Sequence, residues 1–190
     1  MPPKFKFKKT EIIQTAFDIV RQHGWKGLTA RSIARQLDSS SKPIYGHFRS
    51  MADLEEEIVS KAVDLLYEYM TQERTGDPWQ DHGIGYALFG LGEKELFLAA
   101  NDKEHIVHFR NYGQKIWDIL TDSLSDYPPF QGLTGDQVYK IQALRWLMAH
   151  GLAFQAASQP PGLWDKDVIT QLMQDGSQAI IAGMRIQFDL

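Results

Sequence analysis

The nearest approach to a metal-binding group in the sequence is Asp102, Glu104, His105 and His108. On a helix, His105 and His108 would share one face at a spacing of three. Two imidazoles and a carboxylate could then hold a metal with an open position, as in a hydrolytic centre. The simpler reading is preferred: polar residues near the start of an acidic helix, with one half-buried histidine. Other catalytic patterns are missing, with no G-x-S-x-G, no H-E-x-x-H and no phosphate-binding glycine loop in the sequence. The chain has no cysteine, which removes thiol nucleophiles, thiolate metal sites and disulfides and suits a reducing compartment. No active site, metal or cofactor is expected.

A different chemistry is available between Leu28 and Arg49. Lys42, Tyr45 and His47, with Arg31 before them and Arg49 after, are groups that can meet base edges and phosphate oxygens. Short helices must hold them. Thr29 can cap a helix starting at Ala30, with Leu28 and Ile33 as a hydrophobic staple around the cap. Ile33, Ala34 and Leu37 supply its apolar stripe, and Asp38-Ser39-Ser40 has the length of a helix-turn-helix connection. Ser39 or Ser40 can cap the second helix, and Pro43 falls in its first turn, where a missing N–H costs little. Ile44 and Phe48 face inward, leaving Lys42, Pro43, Tyr45, Gly46 and His47 for the outside.

The run LTARSIARQL, a polar turn, and a short helix ending in Ile44-Tyr45-Gly46-His47-Phe48 resemble the DNA-binding signature of the TetR-type family of bacterial transcriptional regulators. The resemblance covers roughly residues 5–65. Two positions depart from it: Asp38-Ser39 stand where members commonly carry Gly-Val, and Met51 stands where they carry Lys, with Arg49 available as a substitute phosphate contact. Trp146-Leu147-Met148-Ala149-His150-Gly151 is similar to the Trp-His-Gly run of a C-terminal subclass. What the resemblance implies is a homodimer, a double-stranded and palindromic DNA operator, and a small-molecule effector. The DNA-facing set is then Leu28, Thr29, Ala30, Arg31, Ser39, Ser40, Ser41, Lys42, Pro43, Tyr45, Gly46, His47 and Arg49.

The net charge of -4 hides an asymmetry. Residues 1–50 carry ten Lys or Arg against three Asp or Glu, a net of +7, so residues 51–190 carry -11. Screening over about 10 Å at 0.1 M salt leaves the local basic patch to decide DNA affinity. The opening residues Met1 to Lys9 alternate Lys and Phe and are read as a basic arm for phosphate, through Lys4, Lys6, Lys8 and Lys9. They lack the apolar core of a signal sequence, and no apolar run approaches membrane-spanning length, so a cytoplasmic protein without membrane contact is expected.

With 43% hydrophobic residues, the chain can bury a substantial core. Helices are expected at Thr10 to His23, Ser50 to about Glu73, Gly83 to Ala100, Lys103 to Ser125, Gly135 to Ser158 and Asp165 to Phe188, separated by Gly24, Thr75-Gly76-Asp77-Pro78, Pro128-Pro129, Gly132 and Pro160-Pro161-Gly162. Four glycines, Gly83, Gly85, Gly90 and Gly92, weaken the third of these. Glu55-Glu56-Glu57 is read as a solvated face. The fold class is all-α with about nine helices: an N-terminal three-helix DNA-binding domain with a helix-turn-helix at 5–65, and a larger helical regulatory and dimerisation domain at 66–190. Small residues at Ala149, Gly151, Ala153, Ala156 and Ala157, and at Gly176, Ala179, Ala182 and Gly183, are read as a self-association surface. An effector cavity would draw on Tyr86, Phe89, Phe109, Tyr112, Trp117, Trp146 and His150. The function expected is a repressor released from its operator by a small molecule, the helix after Ser50 serving as lever. The alternative is a ligand-independent DNA-binding or helical interaction protein.

Overall fold

The structure, a computed structural model, describes residues 7–160 and 162–189. Met1 to Lys6, which hold most of the expected arm, and Pro161 lie outside the described residues. Among the rest, nine α-helices follow in order: α1 Lys9–His23, α2 Ala30–Gln36, α3 Lys42–His47, α4 Met51–Thr71, α5 Pro78–Gly92, α6 Lys94–Ala100, α7 Ile106–Asp122, α8 Gly135–Ser158 and α9 Lys166–Gln187. Two 3-10 turns, Trp25–Gly27 and Pro128–Phe130, complete the described elements, which include no strand. The fold is all-α.

Packing divides the chain into two compact units, Met1–Asp64 with Glu95–Tyr112, and Leu65–Lys94 with Gly113–Leu190. Helices α4 and α7 each begin in the first and end in the second.

In the first unit, α1 buries Ile12, Ala16, Phe17, Ile19 and Val20, the stripe its periodicity requires. Ile33, Ile44, Leu54 and Ile58 are all at most 1% exposed, each contributing about 1.5–3 kcal/mol by burial. Residues 95–112 join this core through Leu96, Phe97 and Phe109. The indole N–H of Trp25 donates to the Ala99 carbonyl at 2.7 Å. The acidic run of α4 is paired within this unit rather than merely solvated. Glu55 Oε2 lies 3.3 Å from His105 Nε2, Glu56 Oε1 accepts from Tyr112 at 3.1 Å with His108 Nδ1 at 3.6 Å, and Glu57 pairs with Lys9. His105 Nδ1 also lies 2.8 Å from Asp102, and its ring stacks on Trp25 at 4.0 Å.

In the second unit α5 is the central helix. Every residue from Trp79 to Gly90 is buried, the mark of a helix surrounded by others. It starts at Pro78, five residues before the expected Gly83. The Asp77 side chain accepts from the N–H groups of Trp79 and Gln80, and Pro78 occupies the first turn. The expected single helix to Ala100 is two, α5 and α6. The glycines serve close packing. A Cβ on Gly85 would lie 2.1 Å from the Tyr69 carbonyl, and one on Gly90 would lie 2.5 Å from that of Ala153. These contacts bring α4 and α8 against α5 backbone to backbone, outweighing the roughly 1 kcal/mol that glycine costs in a helix. Trp79, Leu124, Phe130 and Ile141 form the apolar centre beside α9.

Four of the small residues expected on a self-association surface pack inside this unit instead. Ala149, Ala153, Ala156 and Ala157 are buried, because α8 turns its small-residue face to α5. Gly151, Ala179, Ala182 and Gly183 are exposed.

Candidate nucleic-acid interface

The entry to α2 is built locally. The Thr29 hydroxyl accepts from Ser32 N–H at 2.9 Å, and the Ser32 hydroxyl oxygen accepts from Thr29 N–H at 2.9 Å. Serine thus plays the reciprocal part usually taken by Glu or Gln. Leu28 and Ile33 are both buried, so Leu28 belongs to the core and its side chain is not offered to DNA. Thr29 and Arg31 are exposed and Ala30 is half-buried.

The turn resolves the first family departure. Asp38 takes φ 47, the left-handed conformation that glycine adopts most easily. Asp38 N–H donates to Arg35 O at 3.2 Å and Ser39 N–H to Ala34 O at 2.9 Å. This is the Schellman pattern, with aspartate at the position usually held by glycine.

Helix α3 is capped differently from expectation. Its N-cap is Ser41, in helical conformation and without a side-chain cap bond, rather than Ser39 or Ser40. Ile44 N–H reaches the Ser41 carbonyl at 3.1 Å, and Pro43 sits in the first turn, so fewer donors need a cap. Ile44 and Phe48 are buried, which fixes the rotation of this short helix. Lys42, Gly46 and Arg49 are exposed, Tyr45 is 55% exposed, and Ser39, Ser41 and Pro43 are half-buried beside an exposed Ser40. His47 is half-buried and its Nε2–H donates to the Phe7 carbonyl at 2.9 Å. A sequence pattern offers no sign of that bond. The Lys9 ammonium, expected to meet phosphate, is the first residue of α1, pairs with Glu57 and lies 5.3 Å from the Phe48 ring centre. The next helix starts on a Ser50 cap, with Asp53 N–H donating to Ser50 Oγ at 3.2 Å and Asp53 Oδ2 accepting from Arg49 N–H at 3.1 Å.

The expected effector residues fall into separate places. Phe109 and Tyr112 belong to the first unit. In the second, Phe89 is fully buried core edge-on to Tyr69, and Trp117 meets Tyr139. Tyr86, Trp146 and His150 come together: the Tyr86 hydroxyl lies 2.9 Å from His150 Nδ1, and His150 stacks on Trp146. A cleft of about 240 Å³ lies beside the start of α5, lined by Met70, Thr71, Glu73, Gly76, Pro78, Asp81 and His82. The polar residues of this region, Arg145 among them, were not singled out from the sequence. The available signal was an arginine on the apolar stripe Ile141, Arg145, Ala149, Ala153.

The arrangement is a helix-turn-helix domain with an exposed, cation-bearing second helix. Residues 12–58 match the family described as bacterial regulatory proteins, tetR family. The chain is 23% identical over 157 residues to the uncharacterized HTH-type transcriptional regulator Rv0681 of Mycobacterium tuberculosis, covering 77% of this chain and 68% of that one. The fold is similar to that of a transcriptional regulator from Rhodococcus sp. Rha1, with TM-score 0.71 and 16% identity over 93% of this chain and 97% of that one. It is also similar to the fatty acid degradation regulator FadR from Bacillus halodurans, with TM-score 0.67 and 13% identity over 94% and 97%. Residues 12–58 thus carry a DNA-binding domain of the kind found in bacterial regulators of the tetR family, and the curated relative and both solved structures are transcriptional regulators. Among the described residues, no helix is long and apolar enough to cross a membrane.

Proposed function

We propose that this regulator is a cytoplasmic homodimeric repressor that holds a palindromic operator through α3 and leaves it when a small molecule binds the second unit. The observation that carries the DNA reading is the split character of α3, with Ile44 and Phe48 locked in the core while Lys42 and Tyr45 stand exposed. Base contacts come from Lys42, Pro43 and Tyr45, phosphate contacts from Arg31, Arg49 and the N-terminal lysines. His47 serves by holding the chain at Phe7 beside α3.

Dimerisation is supported by apolar side chains that α8 and α9 leave exposed, Leu147 at 59%, Phe154 at 48%, Leu172 at 43% and Ile186 at 75%. Gly151 lies among them with nothing within 4 Å of a Cβ placed there. Apolar positions at 168, 172, 179, 183 and 186 repeat near the spacing of a helix-pairing seam. Two copies meeting on this face would form a four-helix contact.

Release works through α4, whose interior contains no Gly or Pro. The operator must then weaken effector binding by the same factor by which effector weakens operator binding. Selecting bound sequences from a random DNA library tests the reading. An inverted repeat with half-sites about 34–36 Å apart, or a multiple of it, is expected. Recovery of sequences with no common motif would move the assignment to a non-specific DNA binder.

A further inference from the structure

Arg145 is 5% exposed in the middle of the second unit. Its guanidinium lies 3.7 Å from the centre of the Trp79 ring and donates through Nη1 to the Trp79 carbonyl. No carboxylate among the described residues lies within ion-pair distance of it. Asp77 and Tyr127 act on its charge only from beyond ion-pair distance, and the hydrogen bonds of the nearby acids go elsewhere. Asp77 caps α5 through Oδ1 and accepts from Tyr127 at 2.8 Å through Oδ2. Asp81 accepts from the N–H groups of Arg74 and Thr75 at 3.0 and 2.9 Å and from the Thr75 hydroxyl. A buried cation left with one hydrogen bond and an aromatic face is costly unless an anion completes it.

The surrounding polar groups are also incomplete. Gln80 Oε1, His82 Nδ1 and Ser177 Oγ are buried without a hydrogen-bond partner among the described residues, in residues 7%, 5% and 0% exposed. Gln80 and His82 precede Gly83 within one turn of α5, and a Cβ on Gly83 would lie 3.3 Å from the Arg145 side chain. Ser177 belongs to the same region. It stands on α9 between Met173, which meets Gly83, and Ile180, which packs against the Trp79 cluster. His82 also lines the cleft beside α5.

We propose that the second unit binds a small organic monocarboxylate with an apolar body, its carboxylate forming the missing ion pair of Arg145 beside Gln80, His82 and Ser177. The planar guanidinium matches a carboxylate through paired N–H donors, and the neighbouring Trp79, Leu124, Phe130 and Ile141 suit an apolar tail. This inference rests on the effector reading above and names the class of effector.

The test uses the full chain with straight-chain monocarboxylates from butanoate to decanoate and the primary alcohols of equal length. Thermal unfolding and operator binding are both read. The expected result is a concentration-dependent rise in Tm with one or more acids and none with the matching alcohols, together with a loss of operator affinity of about tenfold. Arg145→Met should lose the acid response and, without acid, unfold at or above the wild-type temperature, because an apolar isostere removes an unpaired buried charge. Ser177→Ala should keep the fold and weaken acid binding several-fold. No Tm rise with any acid, or an equal rise with the alcohols, overturns the carboxylate site. Alcohols that release the operator leave the effector reading standing while sinking this one. Acids that raise Tm but leave operator binding unchanged uphold the site and sink release. If Arg145→Met fails to fold, unchanged acid affinity in Ser177→Ala overturns the proposal.

Discussion

The hydroxyl of Tyr86 on α5 lies 2.9 Å from Nδ1 of His150 on α8. The Trp146 ring stacks on that of His150. His150 of the Trp-His-Gly run therefore grips a phenol of the central helix, backed by Trp146 four residues before it on α8. Burial holds His150 below the usual histidine range, so it stays the acceptor, and pushes the phenol above its own. Tyr86→Phe keeps the ring and strands Nδ1 of His150. It should lower stability by about 1–2 kcal/mol, read by urea unfolding with tryptophan fluorescence. An unchanged midpoint would show that the grip adds nothing to stability.

Asp38 holds a left-handed backbone without being glycine, at a place where the Schellman bonds demand that conformation. Asp38→Gly should raise the stability of the DNA-binding unit by up to about 1 kcal/mol, and Asp38→Val should lower it by at least as much. Thermal unfolding of both variants checks the sign. A glycine variant less stable than wild type would mean the carboxylate contributes more than the strain costs.

His82 predicts a pH response. Burial, then the Arg145 charge, lowers it to about 4, against the pull of Asp81 and Asp77. Above about pH 6.5 the ring is neutral in folded and unfolded chains alike, and its contribution is fully present. As pH falls from there toward 4, the unfolded chain takes up a proton that the folded one refuses, and up to about 3 kcal/mol is lost. His150 acts in the same direction. Denaturation midpoints between pH 7 and 4 should fall less steeply in His82→Gln, and parallel curves would remove His82 from the account.

Lys42 and Lys9 should separate recognition from architecture. Lys42→Ala and Tyr45→Ala are each expected to weaken operator binding by about 1–3 kcal/mol with relaxed preference at the contacted base. Lys9→Ala loses the Glu57 pair and the Phe48 contact, so it should alter stability slightly while leaving the slope of log affinity against log salt unchanged. Deleting residues 1–8 should reduce that slope. Wild-type operator affinity in both Lys42→Ala and Tyr45→Ala would displace α3 from the recognition role.

A charge on the exposed seam should split the dimer. Leu147→Glu or Leu172→Glu would place a carboxylate in an apolar contact between copies, giving monomers by light scattering and a large loss of operator affinity at matched protein concentration. Both variants behaving as dimers would put the interface elsewhere.

Much of this was decided within a few residues of chain. Thr29 and Ser32 make a helix start, Ser50 and Asp53 make another, and Ile44 with Phe48 leaves Lys42 and Tyr45 no direction but outward. Those bonds span three or four positions, so composition and periodicity carried them, and with them the helical class and the exposed face of α3. Where long-range packing chose among options, local pattern could not decide. The glycines of α5 read as weaknesses until Tyr69 and Ala153 arrived against them. The alanines of α8 had two neighbours available, α5 or a second copy, and α5 took them. Lys9 and the three glutamates found partners 48 or more positions away in the chain, and Arg145 was drawn onto Trp79 from 66 away. Such pairings depend on which surfaces the tertiary fold brings together, because a side chain's charge and size are local properties while its partner is not.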